Sequence, residues 1–289
     1  MDLLITLQAS QPLLITVVTL LGMLVGSFLN VVIHRMPIML ERAWQAECAY
    51  ARGEEPAPQN KYNLVVPRSA CPQCGHKISA GENIPVFSYL VLGGKCKQCK
   101  TPISARYPLV EALTGILSGY IAFHFGYGPQ LLGALFFCWI LVALTFIDFD
   151  TQLLPDDLTL PLLWLGLAFN ISGHFVALPH AVVGAMAGYL ILWSVYWLFK
   201  LIRGKEGMGY GDFKLLAMLG AWGGWQILPL TILLSSLVGA VLGVIMLRLR
   251  NQETSTPIPF GPYLAIAGWI ALLWGDQITG TYLQFAGFR

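Results

Sequence analysis

Downstream of Arg106 the chain is a succession of apolar runs separated by short breaks, and this succession limits the possible folds more than any motif does. The runs cover residues 107–125, 129–147, 158–172, 181–202, 213–224, 228–247 and 262–273, and an earlier one covers 11–34. A membrane helix needs about 20 such residues to cross a ~30 Å hydrocarbon core, so the shorter runs are expected to borrow flanking residues. The breaks GYGP, DFDTQLLPDD, SGHFVALPH, RGKEGMGYG, GGWQ and RLRNQETSTPIP carry the glycine, proline and charge that interrupt helices. Only 11% of the residues are charged and 56% are hydrophobic, whereas soluble domains carry about 25% charged residues. The expected fold is an all-α polytopic membrane protein of about eight transmembrane helices, with the lipid bilayer as its solvent. The run at 11–34 is not read as a signal peptide: it ends in the polar GSFLNVVIHRMP, no small-residue cleavage site follows, and no Lys/Arg flank precedes it. Within it, Asn30 is suited to a hydrogen bond with a neighbouring helix.

The long hydrophilic stretch is 35–106, which holds ten of the seventeen Lys and Arg residues. It begins with LERAWQAECAYARGEEPAPQ, read as a short amphipathic helix and a Pro/Glu-rich linker. It then offers CPQCG at Cys71 and Cys74, answered by CKQCK at Cys96 and Cys99. Two CxxC pairs match a four-thiolate zinc site in which each knuckle gives two ligands to a tetrahedral ion. Four thiolates leave no open coordination position, so the ion is structural. Disulfides are the alternative, and a reducing cytoplasm disfavours them. His76 is read as a surface residue of the knuckle. Cys48 and Cys138 are read as packing residues, and the Gly93–Gly94 pair as a tight turn before the second knuckle. The expected organisation is a first transmembrane helix over 1–34, a cytoplasmic zinc-binding domain over 35–106, and a seven-helix membrane catalytic domain over 107–289.

Charge placement gives a topology. With the N-terminus outside, the cytoplasmic segments are 35–106, 148–157, 203–212 and 248–261, and they collect nearly all the Lys and Arg, as the positive-inside rule requires. Lys200 and Lys214 stand at the membrane edges of these segments, and Arg289, in the C-terminal tail, is the exception.

The same topology brings acids to one membrane face, where charge is costly and marks functional candidates. Asp212 stands in GMGYGDFK, behind a glycine-spaced turn and ahead of an apolar run, at a helix start whose free N–H groups favour a carboxylate. Simple capping is the bland reading there. Asp148 ends the run ALTFIDFD at the same depth. Asp150, two residues on, turns about 200° away around a helix. Asp156 and Asp157, after Pro155, suit helix capping and remain rivals to Asp148. Glu111 is a buried acid that either tunes the site or pairs with an Arg or Lys. Two carboxylates sharing a proton would supply the general base and general acid of an aspartic protease. An ion- or proton-coupled transporter with acids at the cytoplasmic face, and a membrane scaffold whose zinc module binds a partner, are the other readings.

Four stretches in this order, GSFLNVVIHR, the two CxxC pairs, IDFDTQLLPD and GMGYGDFKLL, resemble the bacterial prepilin peptidases, or type IV leader peptidases, which belong with the GxGD intramembrane aspartic proteases. The resemblance implies that Asp148 and Asp212 are the catalytic pair and that Cys71, Cys74, Cys96 and Cys99 hold zinc. It also implies a multi-pass protein of the bacterial inner membrane. Its substrates would be type IV prepilins and pseudopilins, cut after a glycine on the cytoplasmic side and then N-methylated from S-adenosylmethionine, with no nucleic acid involved. No dinucleotide-type strand, glycine turn and helix appears, so the methyl-donor site is not assigned to residues.

Overall fold

A computed structural model describes residues 2–56, 60–250 and 259–287. Residues 251–258 of the last polar break, and Arg289, lie outside the described residues. The chain divides into two compact units, 1–143 and 144–289. Among the described residues the secondary structure is helical, with two isolated β-bridges.

In the first unit, α1 (Asp2–Ala9) breaks at Ser10 and α2 (Gln11–Ala51) follows. The first apolar run and the amphipathic segment are therefore one helix of 41 residues, where two were expected. Pro37 costs the ladder a hydrogen bond without ending the helix. Beside it, the buried Arg35 guanidinium donates to the Asn63 and Pro67 carbonyls at 2.9 and 2.6 Å, fastening the hydrophilic loop to the helix wall. Within that loop lies the short α3 (Phe87–Val91). Helix α4 (Arg106–Phe125) then returns antiparallel to α2. Gln11 donates to the Phe123 carbonyl at one end of the pair, and Asn30 donates to the Tyr107 carbonyl at the other, the interhelical role expected of Asn30. Small residues let the two backbones close up: a Cβ on Gly26 would meet the Glu111 backbone at 2.8 Å, and one on Gly115 would meet Met23 at 2.6 Å. Helix α5 (Pro129–Thr151) carries the chain into the second unit.

The second unit contains α6 (Asp156–Ile171), α7 (Leu178–Arg203), α8 (Tyr210–Gly223), α9 (Leu228–Arg250) and α10 (Gly261–Phe285). Helix α8 is its core. From Asp212 to Gly223 every residue but the half-buried Lys214 is buried, with α6, α7 and α10 packed around. Asn170 of α6 finishes α8 from outside: its Nδ2 donates to the Ala221 and Trp222 carbonyls at 2.9 and 3.0 Å, while its Oδ1 accepts the Phe175 and Val176 N–H groups. Trp222 lies across Gly166 and donates to the Leu162 carbonyl. These bonds satisfy the carbonyls that a helix end leaves free.

Each of the eight apolar runs is a helix, but the expectation that eight cross the membrane is not carried by all of them. Among the described residues, five helical stretches are long and apolar enough: Gln11–Ala51, Arg106–Phe125, Pro129–Thr151, Leu178–Arg203 and Trp225–Leu242. Helices α6 and α8, with 16 and 14 residues, are shorter. At 1.5 Å per residue α8 is about 21 Å long, below the hydrocarbon thickness.

Candidate functional site

Helical phase separates Asp148 from Asp150. Asp148 is 5% exposed and Asp150 is exposed, as the 200° turn between them requires. Asp212, 7% exposed, sits in the first turn of α8 behind its N-cap Gly209. Its Oδ2 turns back toward the backbone of the N-cap Gly209, so the carboxylate takes up the capping role of an acid in a first helical turn as well as facing the buried interior. The carboxylates of Asp148 and Asp212 are near enough for the charge of one to act on the other. Asp148 Oδ2 is buried without a hydrogen-bond partner. A buried acceptor left unpaired is costly and needs a reason.

The rival acids are placed elsewhere. Asp156 does not cap α6, whose N-cap is Pro155; it is paired with Lys214, whose Nζ donates to both carboxylate oxygens at 2.6 and 2.8 Å. Asp157 is exposed in the same first turn. Glu111 pairs with no Arg or Lys in the described contacts. Its Oε2 accepts the Val86 N–H at 2.7 Å, which joins α4 to the start of α3.

Two contributors were missed from sequence. A Cβ on Gly261, the first residue of α10, would come within 2.6 Å of Asp148 Oδ2, so the carboxylate rests directly on glycine backbone. Leu154, of the LLPD segment, is wedged between Gly211 and Gly261, 2.8 and 3.2 Å from where their Cβ atoms would be. The GP pair at a helix start was the only available signal for Gly261.

In the first unit the four cysteines converge. Their sulfurs all lie within 4.8 Å of one another, with Cys71 and Cys99 3.7 Å apart and Cys74 and Cys96 4.0 Å apart. A tetrahedral ion with ligands at about 2.3 Å needs sulfur separations of about 3.8 Å, so the set fits. The two knuckles repeat one geometry. Cys71 N–H donates to the His76 carbonyl beside the Ala70–Lys77 bridge, and Cys96 N–H donates to the Thr101 carbonyl beside the Lys95–Pro102 bridge. The fifth residue of each, Gly75 and Lys100, takes positive φ, at 70° and 59°. Hydrogen bonds from the Thr101 hydroxyl and backbone hold the Cys99 thiol down to about 6, whereas, against a His76 backbone hydrogen bond, burial and the neighbouring sulfurs push the Cys74 thiol up to about 11. His76 is no ligand; it bonds Glu82. Gly93 and Gly94, at φ 62° and 66°, form the expected turn, with Gly94 N–H donating to the Tyr89 carbonyl. Cys138 is buried in α5, and Cys48 is half-buried on α2.

The Bacterial Peptidase A24 N-terminal domain matches residues 20–125, and the Type IV leader peptidase family matches residues 135–244. The prepilin leader peptidase/N-methyltransferase of Pseudomonas aeruginosa is 69% identical, covering 97% of this chain and 98% of its own. The proteins of that name from Stutzerimonas stutzeri and Aeromonas salmonicida are 64% and 62% identical, covering 96% and 98% of this chain and 97% and 99% of their own. No solved structure matches. With two adjoining domain matches and near full-length identity to these relatives, the chain belongs to the type IV leader peptidase family.

Proposed function

We propose that this protein is a membrane aspartic endopeptidase that removes the leader from type IV prepilins and pseudopilins and then N-methylates the new N-terminal residue, with Asp148 and Asp212 as its catalytic pair. The observation that carries the pair is the buried, unpartnered Asp148 Oδ2 beside a second buried carboxylate. Two like charges in one buried site disfavour double ionisation in a low dielectric, so the pair holds one proton. The ionised member takes a proton from water as its oxygen attacks the scissile carbonyl carbon. The protonated member supplies its proton to the departing amine, and the C–N bond breaks. Lys214 neutralises Asp156, leaving Asp148 as the acid free to work with Asp212.

S-adenosylmethionine would supply the methyl group to the freed α-amine, leaving as the thioether while the amine gives up a proton. The Cys71, Cys74, Cys96 and Cys99 set would hold a structural zinc. The N-terminus lies outside the inner membrane, and the zinc domain and acids lie at the cytoplasmic face, following the Lys and Arg distribution. Ion-coupled transport is disfavoured by the names of the relatives and by the neutralised Asp156.

The test is cleavage of a prepilin that carries its leader. Asp148→Ala and Asp212→Ala should abolish cleavage, and Asp157→Ala should retain it. Cleavage that survives in both of the first two variants would end this reading.

A further inference from the structure

We propose that the zinc module rests on the bilayer, through an apolar foot formed by α3 that sinks into the lipid interface beside α4. The foot is Phe87, Leu90 and Val91, respectively 61%, 69% and 67% exposed, with the exposed Ile84 ahead of them. Large side chains this exposed on one short helix form a patch that marks a contact surface.

Depth comes from the α2–α4 pair. Its two end bonds, Gln11 to Phe123 and Asn30 to Tyr107, lie about 28 Å apart along α2 and about 24 Å along α4, close to a ~30 Å hydrocarbon core. The Asn30–Tyr107 level is thus one boundary of the hydrocarbon. Glu111 lies four residues inside it, about 6 Å, and side chains on a helix lean back toward its N-terminus. The Glu111 carboxylate therefore reaches the boundary, and there it holds the Val86 N–H. Val86 immediately precedes α3 and is itself held at φ 60°, a conformation that a β-branched residue adopts only under constraint. The foot is consequently fixed at the level where the membrane begins.

The chemistry of the surroundings suits a lipid surface. Lys95 and Lys100 are exposed on the adjoining knuckle, and Tyr107 is exposed on α4 at the boundary, where tyrosine is favoured. Basic side chains beside an apolar patch match anionic headgroups above acyl chains.

The experiment uses the full chain in nanodiscs of phosphatidylethanolamine and phosphatidylglycerol. A benzophenone amino acid replaces Leu90 in one sample and Trp44 in another. Trp44 is 67% exposed on α2 and stands about 21 Å beyond Asn30, clear of the bilayer. Lipid adducts should form several-fold more at position 90 than at position 44. Equal yields, or adducts at position 90 chiefly to protein, would overturn the proposal. Adding Glu111→Ala should lower the lipid yield at position 90, and an unchanged yield would overturn the anchoring role of Glu111.

Discussion

Asp148 is confined by a glycine. Its Oδ2 rests against Gly261, and any side chain there must displace it. Gly261→Ala should reduce prepilin cleavage by about 10²-fold, the usual cost of a 1 Å misplacement of a reacting group. Methyl transfer to an already cleaved pilin should persist, and measuring both activities on one preparation separates a displaced carboxylate from a collapsed fold. A second prediction concerns Glu82. The Ser79 backbone N–H and hydroxyl, and then His76, hold its carboxyl down to about 2 from an ordinary 4.5. A carboxyl lowered on folding stabilises the fold above its ordinary value, and that contribution disappears as pH falls through its folded value. Carboxyl-carbon NMR should find Glu82 still ionised at pH 4, and Ser79→Ala should move its midpoint upward; a wild-type midpoint near 4.5 would refute this. The different burial of Asp148 and Asp150 was legible in the sequence because helical phase alone separates them. The partners of Glu111, Asp156 and Asp148 were not, because each comes from a segment distant along the chain: Val86, Lys214 and Gly261.

At the scale of elements, the helix positions were legible because apolar runs and their glycine and proline breaks report directly on helices. Their roles were less so. Helix α8 reads as one more span, yet it is a short helix enclosed by its neighbours and finished by Asn170. Asn170→Ala leaves buried carbonyls and N–H groups unpaired, at a cost of about 1–3 kcal/mol. It should therefore lower the thermal unfolding midpoint in detergent. The continuity of α2 through Pro37 was hidden for a similar reason, since the anchoring of Arg35 to Asn63 and Pro67 comes from outside the helix. The knuckles were legible from spacing alone. Their fifth positions extend the reading: Gly75→Val should cost about 1 kcal/mol or more, because φ there is positive, whereas Lys100→Gly should be tolerated. Chelator resistance of the bound metal, followed by mass spectrometry, would rank the two variants. Cys96→Ser should lose the metal outright.

For the molecule as a whole, membrane character and the cysteine cluster were readable, whereas the number of crossings depends on how buried helices share the bilayer depth with lipid-facing ones. Protease accessibility in sealed vesicles should place the zinc module on the cytoplasmic side and the N-terminus on the other. Infrared difference spectroscopy addresses directly the one proton proposed to be shared by Asp148 and Asp212. Wild type minus Asp148→Asn and wild type minus Asp212→Asn should each show loss of the same protonated-carboxyl band. Retention of that band in either variant, or its absence from the wild type at the pH of activity, would contradict the shared proton.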